Sequence, residues 1–331
     1  MIEQIEKVKI LCVDDDVESL ELLEALLVPR GFEVELARDG KTALSVIITK
    51  PPDIVLLDVV MPRMDGYEVC REIKGNDQTK NIPVIMVTVL RSKDDRIESI
   101  EAGAEDFISK PVDAHELLAR IKMLVQAKEA EEGFIYTVYA LARAAEVNDE
   151  DTGNHILRLG EYCAIIAREL GLSEGYIKAI RLQSVLHDVG KLHIPPNVLK
   201  KPGKLTEDEL KIIKEHTLFG AKIIGEHSRF TIGKGGALTH HEKWDGSGYP
   251  YGLKGEEIPI EGRIIFVADN YDAIRNKRVY KPPYTHNATC DIITKGDGRL
   301  MPYHFDPKIL EAFKKTEGIF EKIYEKIKDK R

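Results

Sequence analysis

Five short apolar runs, KVKILCVD, EVELA, DIVLLD, IPVIMVT and EDFIS, follow one another through residues 1–125, each separated from the next by a helix-prone segment. This alternation predicts a doubly wound α/β domain. Parallel strands can be joined only by crossovers that return over the sheet, so a five-stranded parallel sheet covered on both faces is expected. ESLELLEALLVPRG has helical apolar spacing and a Pro-Arg-Gly stop; further helices are expected near 41–48, 66–74, 94–103 and 113–127.

After Val112 the pattern changes to a long, charged, helix-prone stretch with an expected interruption at Gly133. Its apolar residues fall at 118, 121 and 125 and again at 134, 138, 141 and 145. That spacing suits a helix packed on a partner helix, and equally a last helix of one domain followed by the first of the next. A homodimer through this region is expected. Residues 135–331 show no strand alternation and read as helices broken by Gly/Pro segments, so the second domain should be all-α. The division is residues 1–125, a helical linker over 126–148, and a second domain over 137–331.

A length of 331 residues exceeds one ordinary core, and 43% hydrophobic with 31% charged residues excludes a disordered chain. The net charge of -8 disfavours DNA as a partner. An anionic substrate would need metals or a local basic patch. Cys12, Cys70, Cys163 and Cys290 form no CxxC pair and read as buried hydrophobes in a reducing compartment. MIEQIEKVKI has no apolar signal core and no apolar stretch is long enough for a bilayer, so a cytoplasmic location without membrane attachment is expected.

Acids end the first run at Asp14, Asp15 and Asp16, and Asp58 ends the third. Ligand sites of parallel sheets form at the carboxyl ends of strands. Acids converging there predict an oxygen-rich Mg²⁺ site in which Asp58 attacks a phosphoryl donor. Thr88 ends the fourth run and can hydrogen-bond the new phosphoryl group; Lys110 ends the fifth and supplies a cation. A lone strand-end Asp usually does no more than solvate the strand, but here four positions and the Asp65–Gly66 turn agree. Asp16 reads as the N-cap of the helix from Val17.

The stretches VDDD (13–16), LLDVVMPRMDGYE (56–68), MVTV (86–89) and ISKP (108–111) resemble the receiver domain of two-component response regulators. The resemblance implies Asp58 as phosphoacceptor, Asp14, Asp15 and Asp58 around Mg²⁺, and Thr88 and Lys110 as readers of the phosphate. It places Phe107 as a switch aromatic that acts by packing, and it implies a sensor histidine kinase as partner. Lys110–Pro111 is a candidate for a cis bond.

Ten histidines are present, and several sit in ligand-like settings. Asp151 and His155 are four residues apart, which puts both on one face of a helix. His187 and Asp188 are adjacent, with Lys191 one turn on. His216 follows, then the pair His240 and His241, and Asp269 after an apolar run. Imidazole and carboxylate together suit Fe, Mn or Zn more than Ca²⁺, and carboxylates can bridge two ions. Metals of this kind activate water and neutralise a phosphodiester's oxygens. A single histidine on an apolar face is more often a core residue; the adjacent pairs shift that balance toward metal.

HDVGK (187–191), HHEKWDGSGYP (240–250), GLKGEEIP (252–259) and VADNYDAI (267–274) resemble the HD-GYP family of cyclic di-GMP phosphodiesterases. The resemblance implies His155, His187, Asp188, His216, His240, His241 and Asp269 as metal ligands, with Asp188 as bridge. It implies Lys191 on a phosphate oxygen as a catalytic residue beside Asp188, Arg278 and Lys281 as dinucleotide contacts, and Tyr249 near the ligand. Two or three divalent metals, Fe or Mn foremost, are implied. Asp151 stands where members with a third metal carry Glu; its shorter side chain leaves two-metal and three-metal sites both open. His193 reads as a loop residue near the site mouth, and Asp272 as a polar helix residue.

The expectation is a response regulator that hydrolyses cyclic di-GMP to pGpG, GMP or both, under control of Asp58 phosphorylation. The alternatives are an adaptor that binds cyclic di-GMP or a protein with little turnover, and an enzyme for another cyclic dinucleotide.

Overall fold

In the computed structural model, which describes residues 7–89, 93–146, 154–276 and 284–328, the apolar runs form β1 (Lys9–Val13), β2 (Glu33–Ala37), β3 (Ile54–Asp58), β4 (Val84–Thr88) and β5 (Asp106–Ser109). They pair in parallel in the order β2-β1-β3-β4-β5. Every residue of β3 and β4 is buried, which is why these central strands are apolar almost throughout instead of alternating. Successive side chains leave opposite faces of the sheet. Leu11, Val13, Val55 and Leu57 pack with Ala43 and Ile47 of α2 (Gly40–Thr49) and Val69 and Ile73 of α3 (Gly66–Gly75). Ile10, Cys12, Ile54 and Leu56 pack with Leu20, Leu23 and Leu27 of α1 (Val17–Leu27) and Leu117 and Ile121 of α5 (Ala114–Glu146). Between β4 and β5 lies α4 (Lys93–Glu101). Asp16 caps α1, accepting the Ser19 N–H at 3.1 Å.

The expected break at Gly133 does not occur: α5 is one helix of 33 residues. A lone glycine costs a helix interior only about 1 kcal/mol, and the surrounding Lys, Glu and Ala are strong helix formers. Thr137 Oγ1 also donates to the Gly133 carbonyl at 2.8 Å. The chain divides into two compact units between Glu132 and Gly133, inside this helix. The apolar residues of α5 serve the cores on either side of that point: Leu117 and Ile121 in the first unit, Val138 and Ala142 with Ile156, Val185 and Leu186 in the second. A Cβ on Gly133 would meet nothing within 4 Å. Gly133→Ala is therefore expected to stabilise the protein by about 0.5–1 kcal/mol. A denaturant midpoint that falls instead would speak against a continuous helix.

Beyond α5, every described regular element is helical: α6 (Asn154–Glu169), α7 (Glu174–Gln183), α8 (Pro196–Leu199), α9 (Glu207–Lys214), α10 (His216–Ile224), α11 (Thr231–Thr239), α12 (Ile260–Arg275), α13 (His286–Lys295) and α14 (Pro307–Lys326), with short 3₁₀ turns between. Aromatic packing joins α6, α12 and α14. Tyr162 stacks on Phe320 at 4.3 Å, and Tyr271 meets Phe320 edge-on at 5.1 Å. All four cysteines are buried and free. Among the described residues, no helix is long and apolar enough to cross a membrane.

Candidate functional site

The first unit gathers its acids where the strands end. Asp14 follows β1, Asp58 closes β3, Thr88 closes β4 and Lys110 follows β5. Oxygens of Asp14, Asp15 and Asp58 lie within 4.8 Å of one another. Lys110 Nζ sits 2.7 Å from both Asp14 and Asp58. Burial, with the Asp14 charge adding to it, holds the Asp58 carboxyl above its ordinary range against the pull of Lys110. Gly66 fits tightly beneath this group: a Cβ there would come 2.2 Å from the Asp58 carbonyl oxygen. Asp65, one residue earlier, caps α3 in a reciprocal pair with Glu68. Phe107 is partly buried against the sheet core, and Lys110–Pro111 is cis.

In the second unit five elements supply one cluster. His155 lies in the first turn of α6, and His187, Asp188 and Lys191 in the turns after α7. His216 opens α10, His240 and His241 follow α11, and Asp269 lies on α12. The ligand atoms form two groups, each with its atoms within 4.8 Å of one another: His155, His187 and Asp269, and Asp188, His216, His240 and His241. Asp188 faces both. One of its oxygens is 3.1 Å from His187 Nε2, and the other is 3.3 Å from His216 Nε2 and 3.5 Å from His240 Nε2. Asp269 lies 3.8 Å from His155 Nε2 and 3.9 Å from His187 Nε2. Gly190 allows this approach, since a Cβ there would meet the His216 carbonyl oxygen at 1.8 Å.

Four imidazoles are oriented through Nδ1. His187 is 3.0 Å from the Ser184 carbonyl, His216 is 2.7 Å from that of Ile213, and His240 is 3.1 Å from that of Gly236. His155 instead meets the Asp272 carboxylate at 2.8 Å. With Nδ1 donating, Nε2 is left as an acceptor aimed inward, the second-sphere arrangement typical of metal-binding histidines. The buried His187 Nε2 and one buried Asp188 oxygen have no hydrogen-bond partner. Burial pushes His216 down to about 4 and His241 well below the ordinary histidine range, favouring neutral imidazole. For Asp188 burial opposes ionisation, but Lys191 at 2.7 Å and His187 outweigh it and hold the carboxyl well below its usual range. Burial also opposes charge on His155; Asp272, then Asp269, outweigh it and raise it to about 10. Acids that favour a proton there favour a cation equally. The donor set therefore fits divalent metal ions.

Three supporting residues, Asp272, Arg158 and Glu242, were not assigned from the chain. Asp272, expected to be an ordinary polar helix residue, is fully buried and receives a bidentate grip from the fully buried Arg158, with distances of 2.7 and 2.8 Å. Arg158 stands three residues after His155, and Asp272 three after Asp269, so each lies one turn from a metal-group residue. That paired spacing was the available signal. Glu242 is also buried, and its carboxylate accepts the backbone N–H groups of Tyr251, Gly252 and Leu253 at 2.7, 3.2 and 3.1 Å. It ties down the loop carrying Tyr249, whose ring stacks on His241 at 4.7 Å. His193 is exposed and stacks on Phe219 instead of joining the cluster. His286 and His304 are buried outside the cluster. Asp151, Arg278 and Lys281 lie outside the described residues.

Residues 10–122 match the family model of the response regulator receiver domain, and residues 139–309 match that of the HD domain. The chain is 36% identical to a protein named "probable cyclic di-GMP phosphodiesterase" from Vibrio cholerae, over 99% of this chain and 82% of that one. It is 36% identical to the cyclic di-GMP phosphodiesterase response regulator RpfG of Xanthomonas campestris pv. campestris, over 95% of this chain and 89% of that one. It is 35% identical to a cyclic di-GMP phosphodiesterase of Thermotoga maritima, over 97% of this chain and 93% of that one.

Proposed function

The chain belongs to the response regulators that join a receiver to an HD-GYP cyclic di-GMP phosphodiesterase domain, and from that premise we propose that it hydrolyses cyclic di-GMP in a metal-dependent reaction set by phosphorylation of Asp58. The observation that carries the metal dependence is Asp188, standing with one oxygen toward each of two groups of inward-facing donors. His155, His187 and Asp269 would hold one divalent ion and His216, His240 and His241 a second, with the Asp188 carboxylate available to each group. Asp151 bears on a third. Iron and manganese suit these donors best. Such ions supply Lewis acidity toward the phosphodiester and toward water. Lys191 neutralises a phosphate oxygen, Tyr249 faces the nucleotide, and Arg278 with Lys281 contacts the dinucleotide. The product is pGpG, GMP or both.

Chelation of the purified protein is expected to reduce cyclic di-GMP hydrolysis by about 10²-fold or more, with recovery on adding Fe²⁺ or Mn²⁺ under anaerobic conditions. Chromatography of the nucleotide products reads both the rate and the end product. Undiminished turnover in chelator would remove the metal dependence.

In the receiver, a sensor histidine kinase is the phosphodonor. Asp58→Ala is expected to abolish labelling by a small phosphodonor and to make turnover indifferent to it. A wild type whose rate ignores phosphodonor would end the proposed control. Met123 and Tyr136, exposed at 68% and 69% on α5, are available for a homodimer, which sedimentation would detect.

A further inference from the structure

Beside the metal groups lies a cavity of about 730 Å³, lined by His241, Tyr249 and Asp269 and also by Lys214, Lys243 and Arg299. Arg299 is paired with Asp297 at 3.0 Å. Neither Lys214 nor Lys243 makes a direct ion pair with a carboxylate among the described residues, although Lys243 helps hold the Asp245 carboxyl below its ordinary range. Lys214 closes α9, and its Nζ lies 5.0 Å from the centroid of the Tyr249 ring, the same ring that stacks on His241. A cation over an aromatic face is held there electrostatically, so Lys214 is tethered to the loop at the metal groups.

The ordinary explanation of a lysine in a last helical turn is its attraction to the helix C-terminus. That accounts for Lys214 at the end of α9. It does not account for Lys243, which lies on the loop after His241 and lines the same cavity. Both ammonium groups line one cavity, and they run against the chain's net charge of -8. An anion bound in the cavity is attracted by both.

We propose that Lys214, with Lys243 beside it, binds the second phosphate of a cyclic dinucleotide whose first phosphate lies at the metal groups. The inference rests on the phosphodiesterase reading above. A cyclic dinucleotide carries two phosphodiesters on opposite sides of its ring. With one at Asp188 and Lys191, the other must be presented to the cavity wall. A substrate with a single phosphate gains nothing there, so Lys214 contributes to selecting the dinucleotide.

The test uses the full chain with its metals, as wild type, Lys214→Met, Lys214→Arg and Lys243→Met, with cyclic di-GMP turnover followed at low and high ionic strength. Lys214→Met is expected to raise KM about 10- to 100-fold, with kcat within about threefold of wild type. Its KM should depend less steeply on salt, and Lys214→Arg should recover most of the loss. Lys243→Met should raise KM by about threefold or more. A wild-type KM in Lys214→Met, an arginine variant as impaired as the methionine one, or a loss confined to kcat would each overturn the proposal. If the wild type itself leaves cyclic di-GMP intact, the phosphodiesterase reading falls and takes this inference with it. An active wild type matched by Lys214→Met would sink the inference alone.

Discussion

Replacing Asp188 with asparagine is expected to lower cyclic di-GMP hydrolysis by about 10³-fold or more, with the fold retained. The substitution keeps the side chain's shape and one oxygen but removes its charge. Asp188 is the carboxylate that stands between the two donor groups, within 3.5 Å of imidazoles in both. The donors left behind are five imidazoles and Asp269, too little negative charge for two divalent ions in a buried site. Metal content should therefore fall together with rate. Elemental analysis, turnover and far-ultraviolet circular dichroism on one preparation would separate the cases. Retained metal and turnover within about threefold of wild type would show that Asp188 is no bridge. A collapsed helical signal would move its role from chemistry to folding.

The largest expected effect on stability comes from Arg158→Met. Both partners of the Arg158–Asp272 pair are fully buried, and the guanidinium donates through two nitrogens, Nε and one Nη, to the two carboxylate oxygens. Its other Nη donates to the Ile327 carbonyl at 2.9 Å, fastening the end of the chain beyond α14 to α6. Methionine fills much of the volume but, among the described residues, leaves the buried carboxylate with hydrogen-bond partners at His155 and Asn276 alone. Breaking such a pair from one side costs about 3–5 kcal/mol, because the remaining charge stays out of water without its partner. Trp244 is the single tryptophan and lies in the second unit, so its fluorescence reports urea unfolding of that unit alone. A midpoint unchanged from wild type would mean that water or His155 already satisfies Asp272. Because Asp272 also orients His155, metal affinity should drop about 10- to 100-fold in the same variant.

Much of this molecule could be read from local order in the chain. Asp14, Asp58, Thr88 and Lys110 each stand at the end of an apolar run, and parallel pairing brings such ends together regardless of side-chain detail. His187 beside Asp188, and His240 beside His241, announce a donor cluster because adjacency in ligand-rich segments survives any plausible packing. The α5 helix was misjudged at Gly133 because a glycine's local preference is worth only about 1 kcal/mol, less than the packing on both sides of it contributes.

What the chain order determined, then, is which donors exist and which strand ends or turns carry them. Tertiary structure alone decided that Asp188 looks toward two groups at once, that Arg158 grips an acid 114 residues away, and that Glu242 and Lys214 brace the loop of Tyr249. The reason is physical. Backbone pattern is set by interactions over a few residues, whereas the worth of a buried charge depends on what packing places within about 4 Å of it, and no local spacing specifies that.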